Sequence, residues 1–355
     1  MTATKQVLAE KFYFTSNIED DVWHPKPSPK SYEWFYFDAL SDNGREALVI
    51  TFFDNFIFSP RYNSNHLENK IPALMFCYYR DGKPLYRAIN EFPESEFSCS
   101  EKEKICRLDN NSFKFDSASY GKGFLLEINT TFHQNKKIEA KLEWLFIESD
   151  FESNPAEPLE NTRYWNLVAP RADVTGHIRI TSKSNKLIDL IHFRGTGYHD
   201  HQFDSRRLCE TVLDWQWGRA HFGDSTAIFN RYQEVGEPEP ATKFYVIRNG
   251  ELRQRDANYE AQGFSRDIFG LKFPNRIRFV SEDNMRLRVK QLKVIDSSFY
   301  HLRFLSEMTL TLRDGKPRKT IGISEYLAPS KLNRRWLNWL IDMRIGKNGK
   351  SSFLG

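Results

Sequence analysis

Cysteine is scarce in this chain: four residues in 355, Cys77, Cys99, Cys106 and Cys209, with no CxxC pair. Scattered in this way they read as free thiols in a reducing compartment, not as a disulfide framework. No zinc-finger spacing is present. No run of about eighteen apolar residues occurs, so no membrane-spanning helix is expected. The opening Met1-Thr-Ala-Thr-Lys-Gln6 lacks a long apolar core, so no signal peptide is expected either, and the chain reads as cytoplasmic. Charge of one sign is also lacking: the net charge is +4, which leaves no footprint for nucleic acid. A glycine-rich phosphate loop and a Gly-x-Ser-x-Gly elbow are both missing, which argues against phosphate-cradling and serine-hydrolase chemistry.

What the chain has in quantity is aromatic side chains, 29 Phe, 15 Tyr and 8 Trp, or 15% of residues. β structure favours aromatics, and so does an apolar ligand pocket; both readings fit. The pattern itself is β. Tyr32–Leu40, the Ser41-Asp-Asn-Gly44 turn and Ala47–Phe53 form a hairpin signature. Strand-like stretches follow at Ala73–Arg80, Leu85–Phe92, Ser112–Ser117, Phe124–Phe132 and Ile138–Glu148. After an acidic, proline-bearing loop at 149–162 come Arg163–Pro170 and Val174–Thr181. The pattern then resumes from Thr226 to Leu312, with turns at Asn249-Gly250 and Asp314-Gly315. Many short strands with regular turns predict an antiparallel sandwich or barrel. Length and the similar texture of the two halves predict two domains, 1–198 and 199–330, followed by a C-terminal segment 331–355. Residues 1–30 read as a polar, proline-rich leader.

The densest concentration of titratable groups is Ile191-His-Phe-Arg-Gly-Thr-Gly-Tyr-His-Asp-His-Gln-Phe203. In a strand, Tyr198, Asp200 and Gln202 share one face, and His199 and His201 share the other. Gly195 and Gly197 leave room for another group to approach closely. A buried, hydrogen-bonded structural Asp is one reading of this stretch and a catalytic Asp is the other. The His199-x-His201 spacing is a known ligand arrangement, to which His192 or His221 could add a third imidazole. No complete ligand set is visible, so no metal is expected.

One helix is predicted, Leu332–Ile345. Leu332, Trp336, Leu337, Trp339, Leu340, Met343 and Ile345 make an apolar stripe, edged by Arg334, Arg335, Arg344 and Lys347. It suits docking on the protein and equally an amphipathic helix, about residues 332–346, lying on an anionic membrane.

Three blocks together resemble one family. They are Trp34-Phe-Tyr-Phe-Asp-Ala-Leu-Ser-Asp-Asn-Gly44 running on to Phe58-Ser-Pro-Arg-Tyr62, then Trp165-Asn-Leu-Val-Ala-Pro-Arg171, then Gly195-Thr-Gly-Tyr-His-Asp-His-Gln202 followed by Trp215-Gln-Trp-Gly-Arg-Ala220. They look like the carotenoid hydratase (hydroxyneurosporene synthase) family within the AttH-like, lipocalin-like superfamily, whose wider relatives include fungal decalin-forming pericyclases. The resemblance spans roughly residues 30–235. It implies an all-β chain of two tandem lipocalin-like antiparallel β-barrel domains and a cofactor-free reaction that adds water across the terminal double bond of an acyclic carotene. The family's key residues lie in a Tyr-x-Asp segment, matched by Tyr198 and Asp200, and in a His-x-Trp segment. There Trp165 matches and Arg163 stands in place of the His.

That chemistry is consistent with the residues. Protonating a trisubstituted alkene needs a strong donor, and a carboxylic acid serves only if burial keeps it protonated. Asp200 is the candidate acid, with Tyr198 as its hydrogen-bonding neighbour. Trp34, Tyr36 and Trp165 are candidates to stabilise a carbocation through their π faces. Arg163, His199, His201 and Gln202 complete the expected substrate-binding set. Arg163 opposes the acid role if it lies close, because its charge lowers a neighbouring carboxyl pKa. Three functions remain open on sequence: hydration of a polyene or terpenoid lipid, cofactor-free cyclisation of a polyene, and lipid binding without catalysis. An apolar lipid is the expected partner, with peripheral contact at the inner face of a membrane.

Overall fold

Period-two patterning gives strands throughout, and the computed structural model, which describes residues 12–64, 67–118, 121–151, 162–313, 315–347 and 350–354, arranges them in two sheets. The first comprises β1 (Phe12–Thr15), β2 (Tyr32–Ser41), β3 (Glu46–Phe53), β4 (Ala73–Arg80), β5 (Lys83–Glu91), β6 (Phe97–Cys99), β7 (Ile105–Leu108), β8 (Asn111–Ala118), β9 (Gly121–Phe132), β10 (Lys136–Glu148), β11 (Arg163–Thr181) and β12 (Leu187–Asp204). Its order is β5-β4-β3-β2-β12-β11-β10-β9-β8-β7-β6, with β1 parallel to β11 and Gly346–Lys347 added beside β5. The second is a closed barrel of β13 (Val212–His221), β14 (Ser225–Glu234), β15 (Ala241–Arg248), β16 (Glu251–Arg266), β17 (Lys272–Ser281), β18 (Arg286–Ser297), β19 (His301–Thr311) and β20 (Arg318–Leu327).

The first sheet is open and curled, so only one of the two expected barrels closes. Its curl is filled by Phe35, Phe37, Ile50, Phe76, Phe113, Phe124 and Trp144. The barrel lumen is filled by Phe229, Phe244, Phe279, Leu287 and Met308, which leaves it packed instead of hollow. A third cluster joins the two sheets. It takes Trp34, Val49, Phe53, Tyr79, Trp165 and Tyr198 from the sheet and Trp215, Trp217, Ile228, Tyr245 and Ile323 from the barrel. Alternation explains the division: in β2, Phe35 and Phe37 fill the curl while Trp34 and Tyr36 face the barrel.

Several expectations need correction. The domain boundary expected after Tyr198 falls inside β12; the chain passes from sheet to barrel between Asp204 and Val212. Part of the polar leader is structural, since Phe12–Thr15 pairs with Arg163–Asn166. Arg163–Thr181 is one strand, not two, with irregularities in register absorbing Pro170. Cys99 and Cys106 sit directly opposite each other across β6 and β7 and form a disulfide; Cys77 and Cys209 are free and buried. The predicted C-terminal helix is broken into 3₁₀ turns at Pro329–Asn333 and Arg335–Leu337 and a short α-helix, α1, at Asn338–Asp342. So short a helix has little stability of its own, and tertiary bonds dictate the path: Asn333 donates to the Cys209 carbonyl and Arg344 to that of Ser297, at 3.1 Å each. Expected features at 1–11 and 152–161, and Asp314 of the third turn, lie outside the described residues. No helix among the described residues is long and apolar enough to cross a membrane.

The two central glycines have the role their spacing suggested. A Cβ on Gly195 would stand 2.2 Å from the Leu40 carbonyl oxygen and 2.7 Å from Ser41 Cα, both backbone atoms of β2. Gly195→Val should therefore separate β12 from β2 and destabilise the protein by about 2 kcal/mol or more. Urea unfolding followed by tryptophan fluorescence checks this; an unchanged midpoint would show that β2 can yield.

Candidate active site

β12 lies next to β2 and carries its two faces into different environments. On the face toward the barrel, Asp200 Oδ2 accepts three hydrogen bonds: from Tyr198 OH at 2.7 Å, Trp165 Nε1 at 2.9 Å and Gln202 Nε2 at 3.2 Å. Asp200 Oδ1 is buried without a partner. Burial pushes the Asp200 carboxyl up to about 6, even though the bonds from Tyr198 and Trp165 pull the other way.

Asp200 and Gln202 line a cavity between the sheet and the barrel, together with Trp34, Tyr36, Phe53, Trp215 and Trp217. It is narrow, with a volume of about 80 Å³. The site is thus in the seam between the two sheets, not in the barrel lumen. Its other wall comes from β19 and β20. Glu325 Oε1 accepts from Arg303 Nε at 2.7 Å and from Tyr36 OH at 2.9 Å, and Oε2 lies 3.2 Å from His301 Nε2. Burial alone would raise the Glu325 carboxyl, but Arg303 and His301 hold it well below the usual carboxylate range. The seam is further closed by the buried Asp38–Arg219 ion pair and by Tyr79, which donates to Asp296 at 2.8 Å.

Of the residues singled out in the sequence, Asp200, Gln202, Trp34 and Tyr36 line the cavity. Tyr198 and Trp165 hold Asp200 from behind. Arg163 is fully buried, donates to Gln202 Oε1 at 2.9 Å, and lies over Trp215 with its guanidinium carbon 4.1 Å from the ring centre. It reaches Asp200 only through Gln202. His199 and His201 need correction as substrate-binding residues, because alternation turns them away from the cavity. His199 stacks on Phe37 at 3.9 Å and its Nε2 lies 3.0 Å from Asp21. His201 stacks on Phe35 at 4.1 Å and sits between Glu33, at 2.7 Å, and Asp21, at 3.2 Å. Sequence reasoning missed the barrel wall, Glu325, His301 and Arg303, and it missed the acidic partners Asp21 and Glu33. All five lie more than ninety residues away from the central stretch, and no spacing rule connects them.

His24, Glu33 and His201 are the one set of potential metal ligands among the described residues, with ligand atoms within 4.8 Å of one another. Here the group is knitted by protons. Both Glu33 oxygens accept from the His24 backbone N–H, at 3.0 and 3.1 Å, and Glu33 also takes His201 Nε2. Burial opposes a charged imidazole, yet the bonds to Asp21 and Glu33 carry His201 up to about 9.

The comparisons with known proteins agree with the geometry. The family model described as Carotenoid hydratase CrtC matches residues 153–353. A protein named hydroxyneurosporene dehydrogenase, from Chlorobaculum tepidum, is 25% identical over 358 residues, covering 95% of this chain and 93% of that protein. The crystal structure of CghA with Sch210972 superposes with a TM-score of 0.59 at 13% identity, covering 90% of this chain and 95% of that one. Kievitone hydratase from Nectria haematococca superposes with a TM-score of 0.54 at 9% identity, covering 90% and 97%. At these identities the two structures speak for the fold.

The buried cluster behind β12 gives a pH prediction. His201 has a folded pKa above its unfolded value near 6.5, so its contribution is complete below about pH 6.5 and is lost as pH rises through about 9. Asp21 and Glu33 are lowered, burial being outweighed by the imidazoles, so their contribution is lost as pH falls through the acid range. Stability should decline between pH 6.5 and 9 by on the order of 3 kcal/mol, and His201→Gln should flatten that decline. Urea midpoints across this range check it; a slope unchanged in His201→Gln would assign the loss to other groups.

Proposed function

The chain belongs to the carotenoid hydratase CrtC family, and from that premise we propose that it hydrates the terminal C=C bond of an acyclic carotenoid or related terpenoid, with Asp200 as the proton donor. The observation that carries this reading is the asymmetry of the Asp200 carboxyl. Three donors converge on Oδ2, while Oδ1 is unpartnered in a residue that lines the cavity. A proton on Oδ1 is then the one available for transfer, and a carboxyl pKa of about 6 keeps a useful fraction protonated near neutrality.

In the proposed step the alkene π pair takes the Oδ1 proton at the less substituted carbon. The tertiary carbocation that results is flanked by the faces of Trp34, Trp215 and Trp217. A water oxygen forms the C–O bond, and the surplus water proton passes to His301, which Glu325 orients. His301 returns that proton to solvent and Asp200 takes one back, so the net change is addition of H and OH. Tyr198, Trp165 and Gln202 position the acid and receive its negative charge. Cyclisation of a polyene in the same seam is the second reading. It is favoured by the seam's aromatic lining, and it needs Asp200 only to polarise the chain.

Asp200→Asn decides between them. It should lower hydration by about 10²–10⁴-fold while leaving polyene binding nearly intact; retention of most of the turnover would reject the acid role and favour cyclisation. The pH profile supplies a second check. kcat/KM should fall about tenfold per unit above pH 6, as Asp200 ionises. Because the Tyr198 bond favours the ionised form, Tyr198→Phe should move that limb to higher pH. A shift to lower pH would contradict the assignment.

A further inference from the structure

We infer that the C-terminal segment 329–345 and the loop Arg266–Leu271 form a docking surface for an anionic lipid bilayer, placed over a cavity that adjoins the one holding Asp200. This rests on the reading of the substrate as an apolar polyene.

A second cavity lies beyond His301. Phe56, Met75, Ile89, Tyr300, His301 and Arg303 line the first cavity and also line the second, so the two lie against each other across a shared wall. The second is closed by Phe269 from the loop and by Leu340, Ile341 and Arg344 from the C-terminal segment. The two elements lie side by side, since the Lys331 ammonium is within electrostatic reach of Asp267 and Arg266.

Their other faces are apolar and exposed. Ile268, next to Phe269, is 87% exposed; Trp336 and Trp339 are 72% and 57% exposed. Phe353 joins them, its chain tied back by the Leu354 N–H to the Met343 carbonyl at 2.8 Å. Around them stand the exposed Arg266, Arg334 and Arg335 and the half-buried Lys331. The acids nearby are occupied: Asp267 Oδ1 accepts the backbone N–H groups of Leu271 and Phe269, and Asp342 pairs with Lys347. Indole rings beside an aliphatic tip, ringed by cations, is the composition that settles at the headgroup level of an anionic membrane. A solvent-exposed Trp pair has no function in the packing beneath it, whereas a carotene-sized chain has to be drawn from a bilayer. The side chains beneath the exposed ones are those that close the second cavity, so seating the surface on lipid puts that cavity next to the acyl boundary.

The test uses the full chain and vesicles of equal parts phosphatidylcholine and phosphatidylglycerol, with phosphatidylcholine vesicles as control. The intact protein should sediment with the anionic vesicles at low salt, leave them at high salt, and bind the control weakly. The combined change Ile268→Ser, Trp336→Ser and Trp339→Ser, and separately Arg334→Glu with Arg335→Glu, should each weaken partitioning at least about tenfold with unchanged urea midpoints. Turnover of a polyene supplied in vesicles should fall in step, while turnover of the same polyene in detergent micelles should hold. Asp200→Asn should sediment like the intact protein. The inference is overturned if the intact protein stays in the supernatant, or if either surface variant sediments as well as it does. Should the protein sediment as expected but hydrate no polyene in either carrier, the docking surface stands and the hydratase reading falls.

Discussion

Desolvating a carboxylate raises its pKa unless hydrogen bonds or cations compensate, and at Asp200 they compensate only in part. Three neutral donors reach one oxygen, no cation touches either, and burial prevails. Much of the seam follows from that imbalance. The indole of Trp165 and the phenol of Tyr198 must be held rigidly enough to donate, so both are fully buried in the cluster that joins sheet to barrel. Each donor has to be close, yet none may bring charge. On the opposite wall the reverse applies: Glu325 is ionised because Arg303 and His301 face it directly. One cavity thus holds two carboxyl groups whose pKa values are pushed in opposite directions, Asp200 upward and Glu325 downward.

The strand that carries the acid has its own support on the other side. His199 and His201, stacked on Phe37 and Phe35, are clamped by Asp21 and Glu33. These contacts are fully buried, and buried polar contacts of this kind are a weak source of net stability. What they do is fix β12 in register, because His199 cannot leave Asp21 without exposing an uncompensated buried charge. A slip of one residue would exchange the two faces and put an imidazole where the Asp200 carboxyl lies. The close approach of the β2 backbone at Gly195, and of the Val174 and Trp144 side chains at Gly197, restricts the same slip.

Alternation made one half of this legible in the sequence. Tyr198, Asp200 and Gln202 could be placed on a common face, and the turn at Asn249-Gly250 could be read from residue type; in the structure both residues have positive φ. Closure was not legible: whether a run of strands seals into a barrel depends on the pairing of β13 with β20, more than a hundred residues apart. β16 escaped notice because Glu251–Arg266 is rich in polar residues and its alternation is short and weak, with only Ala257, Tyr259 and Ala261 in step on one face. The Cys99–Cys106 bond likewise depends on the register of β6 against β7, which spacing alone does not give. At the C-terminus the apolar stripe was genuine, and Leu332, Ile341 and Ile345 are buried, but contacts to the body of the protein overrode helical continuity.

Arg163 is the position where sequence reasoning and family resemblance pull apart, and its surroundings explain how a cation can occupy it. A guanidinium in direct contact with Asp200 would lower the carboxyl pKa and abolish the acid. Instead it lies over the Trp215 ring and within cation–π range of Tyr232 and Trp34, at 5.2 and 5.5 Å. It donates a hydrogen bond to the oxygen of Gln202, whose amide nitrogen then faces Asp200. Gln202 is the insulating element: it passes on orientation and keeps the charge one side chain away. The ring faces give the cation a compensating environment that contains no anion in contact with it. A buried arginine and a buried carboxyl of raised pKa are therefore compatible here, because the amide between them presents its oxygen to one and its nitrogen to the other.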